Sequence, residues 1–472
     1  TTPRAIVDEA AERTARACRG RRVVAAQDTT EINFSGRDKG RRELGRGGDG
    51  TSLGFFIHPL IAIDADDETV LGVAGAKIWT RPLAKVKAHR QKRHLEDKES
   101  MRWIEAAQIA AQRLADAVSI VVVGDRENDI YQAFARKPDN VDLITRARGD
   151  RKLDQGGLLF ETADGFPTAF EIDVATAPSR PRAPGERGRA ARVAVSFGKA
   201  TIAKPKTGRA CADPQSCEIN VVVAREVGAP AGTKPLMWRL LTTLPVETAE
   251  DARQIIRLYR LRWRIEEVFR VLKRDGLALE ETQVESARRL FNLAALAVVA
   301  AARILQLTDA RDASVRPATD VVDESAIEAT AAIGATLEGQ TQRQKNPHPR
   351  GSLSWLAWIT ARLGGWNGYY KPPGPKTMAN GWRRLAAMLD GYAIAPGRGA
   401  AAARPIASPL SRPLPACGER RTARRLTNWG RRVPIRLTPP ATRPACPSGS
   451  SSRALGCRCR RSRRGTPPAR RL

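Results

Sequence analysis

The sequence predicts an α/β fold built on a mixed sheet. Three observations lead there. Over the first 150 residues, short apolar runs such as "SIVVV" alternate with stretches at helical spacing. From about residue 150 to 245, strand-like runs alternate with Pro/Gly/Arg loops, which reads as a β-rich insertion. From residue 247 the periodicity is helical.

The elements follow in order. Residues 1–20 read as a short, alanine-rich, charged helix. "RRVVAAQDTTEINF" contains a short apolar strand, Val23 to Ala26, that runs into Asp28. "GRDKGRRELGRGGDGTSLG" lacks the Gly-Lys-Ser/Thr ending of a phosphate-binding loop and reads as an exposed hairpin connection. "LGFFIHPLIAID" and "TVLGVAGAKIWT" are two further strands, followed by the basic stretch "KVKAHRQKRH". "KESMRWIEAAQIAAQRLADA" has helical spacing. "VSIVVVGDRENDIYQAFAR" is an apolar strand, an Asp, then a helix, and "VDLITRARG" is another strand. The insertion contributes "RVAVSFGKATIA", "EINVVVARE" and "LMWRLLTTL".

One long helix is predicted from near Glu247, where "ETAED" supplies an acidic first turn, to about Asp275. A second, "SARRLFNLAALAVVAAARILQL", is apolar nearly all round and is predicted to be buried. After a polar linker, residues 352–394 read as a small Trp-rich helical unit.

Composition narrows the function. The 472 residues carry a net charge of +30, which favours a polyanionic partner. Residues 396–472 hold 19 Arg, no Lys and one Glu, so +18 of that charge lies in a Pro/Ser/Ala-rich tail expected to be disordered. The first 395 residues then carry +12. No apolar run is expected to be long enough to span a bilayer and the N-terminus has no signal-peptide pattern, which points to a cytosolic, nucleic-acid-facing protein. Seven cysteines, four of them in the tail, and His58, His89, His94 and His348 form no familiar metal-ligand spacing.

The carboxylates are more informative. Asp28 and Asp125 each follow an apolar strand, and ligands gather at strand carboxyl ends in α/β sheets. Either Asp alone also suits a turn or helix cap. In "LYRLRWRIEEVFRVLKRDG", at 100° per residue, Tyr259, Arg262, Glu266, Arg270 and Lys273 fall on one stripe roughly 80° wide. Leu258, Leu261, Ile265, Val268, Phe269 and Leu272 occupy the adjoining face. The stripe therefore borders the buried side of the helix. Two strand-end Asp and one helical Glu suit two hard divalent ions, Mg²⁺ or Mn²⁺. Two such ions clamp the attacking and leaving oxygens of a phosphoryl transfer, and nearby Tyr, Arg and Lys hold phosphates.

The spacing Tyr259-x2-Arg262-x3-Glu266-x6-Lys273 resembles the signature of DDE cut-and-paste transposases of the IS-four family. "QDTTEI" resembles that family's first-Asp block and "GDRENDIY" its second. "KESMRW" resembles the segment before the second, and "WRLLTTLPVETAEDA" the lead-in to the Glu helix. The similarity covers roughly residues 22–308, and "ARLGGW…GWRRLAAMLDGY" resembles the C-terminal region.

The resemblance implies a ribonuclease-H-like mixed sheet with a β-strand insertion before the catalytic Glu helix, plus a helical C-terminal region. The corresponding division is 1–21, remnant N-terminal helical segment; 22–149, first part of the core; 150–246, insertion; 247–310, Glu helix and core helices; 311–351, linker; 352–395, dimerisation region; 396–472, tail. It implies Asp28, Asp125 and Glu266 as the metal-binding catalytic triad. It implies Tyr259, Arg262, Lys273, Arg270 and Arg146 as DNA contacts, and Trp238 as the stacking partner of a flipped base.

The implied substrates are double-stranded transposon ends and target DNA, cut through a hairpin and joined by strand transfer, with a homodimer pairing two ends. A bacterial, cytoplasmic, nucleoid-associated protein with no membrane partner is implied. Only 27 residues precede Asp28, so the helical domain usual upstream in this family is expected to be missing or reduced to residues 1–20. The competing expectations are a nuclease or resolvase of the same fold, and an inactive remnant that binds DNA or dimerises without catalysis.

Overall fold

The computed structural model describes residues 2–34, 43–82, 95–96, 98–175, 190–206, 212–233, 235–369 and 371–394. The basic stretch at 85–94 with His89 and His94, part of the Gly/Arg loop, Cys211, and the Arg-rich tail with its four cysteines lie outside the described residues.

Helix α1 (Pro3–Cys18) is capped by the Thr2 hydroxyl, which accepts from the Ala5 N–H. It buries Val7, Ala11 and Cys18 rather than standing away from the core. Strand β1 (Arg22–Gln27) is apolar on both faces. Val23 and Ala25 join one buried cluster, and Val24 and Ala26 join the other. Such a strand needs cover on both sides and sits inside the sheet.

Next come β2 (Thr30–Asn33), the two-residue β3 (Gly45–Arg46), β4 (Leu53–Asp64) and β5 (Val70–Trp79). β1 and β2 both pair antiparallel with β4: Gln27 lies opposite Leu60 and Thr30 opposite Ile57. The register is continuous, so β1 and β2 form one strand line interrupted at Asp28 and Thr29. β5 takes the other edge of β4.

Helix α2 (Met101–Arg113) returns the chain to β6 (Ser119–Gly124), parallel to β1. Helix α3 (Tyr131–Ala135) leads to β7 (Asp142–Arg146), parallel to β6. Then follow α4 (Leu159–Asp164), β8 (Thr168–Ala175), β9 (Ala190–Ala203), β10 (Ser216–Val227) and β11 (Met237–Thr242). β11 pairs with β7, so the β-rich insertion continues the same sheet, in the order β2-β4-β1-β6-β7-β11-β10-β9-β8. β8 was not among the strands read from the sequence. Its Glu171 and Asp173 interrupt an otherwise apolar pattern.

The long helix expected from Glu247 to Asp275 is not one rod. α5 (Ala249–Arg260) opens with a capping box between Thr248 and Asp251. The chain then tightens into a 3₁₀ turn, Leu261–Trp263, before α6 (Arg264–Lys273) begins. A 3₁₀ turn advances about 120° per residue, so the ideal angular sorting shifts after Tyr259.

α7 (Ala287–Asp309) is long and apolar enough to cross a membrane, which corrects the expectation that no apolar run reaches that length. Most of it is buried in the core, against β5, α1 and α6. The stretch 311–351, expected as a linker, contains α8 (Ile327–Leu337). Its small residues explain the difference. Gly334 lets the helix sit so close to Ile359 that an added Cβ would lie 2.8 Å from that side chain. α9 (Leu353–Leu363) and α10 (Pro375–Ile394) complete the helical C-terminal region.

The sheet is therefore covered twice. α5, α6, α7, α9 and α10 share one buried cluster with one face, and α2, α3 and α4 share the other.

Candidate active site

Sheet register places the acidic residues. Ala26 pairs with Val123 across the parallel β1/β6 ladder, and Gly124 pairs with Thr145 across β6/β7. Carrying the registers forward sets Asp28 level with Asp125, and Asp125 level with Arg146. All three stand at the carboxyl ends of their strands, where the interruption between β1 and β2 opens the sheet.

Asp28 is mostly buried. Its Oδ1 accepts from the Thr29 N–H at 2.7 Å, and its Oδ2 accepts from Arg262 Nη1 at 2.8 Å. Asp125 caps the 3₁₀ turn Arg126–Asn128, its Oδ1 accepting from the Glu127 N–H at 2.8 Å. The Thr145 hydroxyl donates to the Asp125 carbonyl at 2.8 Å and fixes the backbone there. Gly124 precedes Asp125 for a steric reason: a Cβ at this position would stand 2.5 Å from the Asn128 Cβ.

Glu266 lies in the first turn of α6, half-buried. Ile265, Val268 and Phe269 bury the adjoining flank, and Arg264 pairs with Glu267 in the same helix and ties the helix to Asp309 at the end of α7. The carboxylates sense one another. Burial, then the charge of Asp125, push the Asp28 carboxyl up to about 7, Arg262 pulls it down, and Glu266 adds a smaller upward push.

The remaining candidates divide into two groups. Trp238 and Tyr259 meet edge to face, with ring centroids 6.0 Å apart. Burial raises the Tyr259 hydroxyl above its ordinary range, against Arg262 and Arg146. Arg146 donates from Nη2 to the Met237 carbonyl at 2.8 Å, and burial followed by Arg126 lowers it. Tyr259 and Arg146 both interact electrostatically with Arg262 and Asp125. Arg270 and Lys273 sit further along α6 and pair with Asp275 at 3.0 Å and Glu280 at 3.6 Å.

Among the described residues, no three His, Cys, Asp or Glu side chains stand close enough to hold a metal ion together. At Asp28 the positive charge comes from Arg262. The donor chemistry nevertheless fits a hard divalent cation: the site holds carboxylate oxygens whose mutual repulsion a cation would relieve.

Sequence reasoning missed a polar network beneath the two Asp turns, made of Gln27, Thr29, His58, Arg102 and Glu127. "KESMRW" carried the signal, since Arg102 is its Arg, but spacing alone gave that residue no partner.

A family model described as "Transposase DDE domain" matches residues 20–303. The chain belongs to the DDE transposase family. The match covers more than half the chain and every candidate site residue from Asp28 to Lys273. A transposase of this family acts on DNA, and DDE transposases generally use divalent metal ions. The mixed α/β sheet is consistent with such a domain. In this transposase the match ends within α7, so α8, α9 and α10 lie beyond it.

Proposed function

We propose that the chain is an IS-four-type transposase with a ribonuclease-H-like core, residues 22–149 and 247–310, interrupted by the β-rich insertion at 150–246. It cleaves DNA at transposon ends and joins the freed ends to target DNA. One observation carries this reading: Asp28 and Asp125 stand level at adjacent strand ends, and Arg262, one turn before Glu266, reaches Asp28 at 2.8 Å. The order of the core strands, antiparallel β5-β4-β1 followed by parallel β6 and β7, supports it.

Asp28, Asp125 and Glu266 would hold Mg²⁺ or Mn²⁺. Two bound ions supply activation of the attacking oxygen and stabilisation of the leaving oxygen. Arg262 has two roles in this reading. Without DNA it neutralises Asp28, and with DNA it turns to a phosphate, for which its planar fork is suited. Tyr259 and Arg146 flank the same phosphates, while Arg270 and Lys273 extend the basic track along α6.

Water nicks one strand, and the freed 3′-hydroxyl attacks the opposite strand to close a hairpin. A second water reopens the hairpin, and the 3′-hydroxyl then attacks target DNA. Each step exchanges one phosphorus–oxygen bond for another. Trp238, edge to face with Tyr259, stacks on the base displaced when the hairpin closes. Two ends require two protomers, for which residues 352–395 are the proposed contact region.

Glu266→Gln keeps shape and removes charge. It should abolish cleavage, by at least about 10³-fold, while leaving DNA affinity within about twofold. Gel-shift and cleavage assays on the same DNA separate the two. Equal loss of both would make Glu266 a structural residue.

A further inference from the structure

Arg102 sits in the first turn of α2 with its side chain only 8% exposed. Each nitrogen of its guanidinium has a partner. Nε donates to Thr29 Oγ1 at 2.8 Å, Nη1 to the Glu99 carbonyl at 2.8 Å and Nη2 to Glu127 Oε2 at 2.6 Å. Thr29 follows Asp28, and Glu127 supplies the N–H that holds the Asp125 carboxylate. One side chain therefore fastens the turn after Asp28 to the turn after Asp125.

The direction of the network follows from Gln27, whose Oε1 can only accept, so His58 donates to it from Nε2 at 3.0 Å. Burial keeps the His58 ring neutral, which leaves Nδ1 as an acceptor. The Thr29 hydroxyl then donates to His58 Nδ1 at 2.9 Å while its oxygen accepts from Arg102 Nε. The Gln27 amide closes the circuit on the Trp103 carbonyl, beside Arg102, at 3.4 Å. The circuit grips both sequence neighbours of Asp28, Gln27 and Thr29. Gln27 and His58 are buried, so loss of a link strands a polar group in the core.

We propose that Arg102 is a positioning residue that sets the separation of the Asp28 and Asp125 carboxylates, acting through Thr29 and Glu127. The inference rests on the proposed role of those carboxylates in holding divalent ions. Partners that orient metal-binding carboxylates shift metal affinity by about 10- to 100-fold when lost.

The test uses the full chain and compares wild type with Arg102→Gln, Arg102→Lys, Thr29→Val and the Arg102→Gln/Thr29→Val double variant. Plasmid nicking is titrated with Mn²⁺, DNA affinity is measured separately, and backbone hydrogen exchange is followed by mass spectrometry.

Arg102→Gln should raise the Mn²⁺ concentration for half-maximal nicking by about tenfold or more, with DNA affinity unchanged. Thr29→Val should do the same, and the double variant should be little worse than either single one. Arg102→Lys, able to reach one partner rather than three, should rescue only in part. Exchange in segments 22–33 and 119–131 should rise about tenfold in Arg102→Gln, with the rest of the chain unchanged.

Wild-type Mn²⁺ dependence and wild-type exchange in Arg102→Gln would overturn the inference. So would a uniform loss of protection across the chain, which marks a residue that only stabilises. If the wild type shows no metal-dependent nicking, the functional reading falls, and exchange confined to the two turns still decides whether Arg102 couples them.

Discussion

At the scale of single residues, Asp28 is the most informative position. Burial and its acidic neighbours raise its carboxyl to about 7, well above the ordinary range near 4. The folded chain therefore keeps a proton that the unfolded chain has lost over that interval. The stability this residue contributes is fully present below about pH 4 and is lost as pH rises through about 7. Asp28→Asn should flatten the metal-free stability of the chain between about pH 4.5 and 7.5, measured by denaturant unfolding at each pH. A pH profile identical to wild type would mean that Asp28 does not carry the raised pKa. The same position shows why Arg262 matters. Its guanidinium bonds Asp28 at 2.8 Å and opposes the upward push of burial and Asp125 on that carboxyl.

At the scale of elements, the site depends on how α6 is held. Arg264 reaches Asp309 at the end of α7, and Asp309 Oδ2 also accepts from the Val70 N–H of β5 at 3.0 Å. Helix, helix and sheet meet at one carboxylate that is only 16% exposed. Asp309→Ala leaves Arg264 without its principal partner and should cost about 3 kcal/mol of stability. Urea unfolding checks this, and a loss below about 1 kcal/mol would show that Glu267 alone satisfies Arg264.

Much of this scale was legible in the sequence, because an apolar run that ends in Asp reads directly as a strand presenting charge. The 3₁₀ turn at Leu261–Trp263 was not legible. No Pro or Gly marks it, and it arises where α5 and α6 pack separately on the sheet. α8 was hidden because its docking face is Ala and Gly rather than large apolar residues. The partners of Arg102 were also out of reach, since Thr29 lies 73 residues from it in sequence and only the packing of α2 against β1 and β6 brings the two together.

At the scale of the whole molecule, the sheet orders the site and its covering helices hold the third carboxylate over it. A parallel pair, β1 and β6, sets two carboxylates level, and the helices after residue 247 bring the third from the opposite direction. The insertion extends the sheet and delivers Trp238 to the same place, against Tyr259. Strand ends and helices far apart in sequence thus meet at the Asp28–Arg262 pair. The most direct test of this convergence is nicking of supercoiled plasmid by the purified full chain with Mg²⁺ or Mn²⁺, compared with Asp125→Ala. Metal-dependent nicking that falls by at least about 10³-fold in the variant is the expected result. Nicking that survives the substitution, or no nicking by a wild-type chain that still binds DNA, would contradict a working carboxylate site.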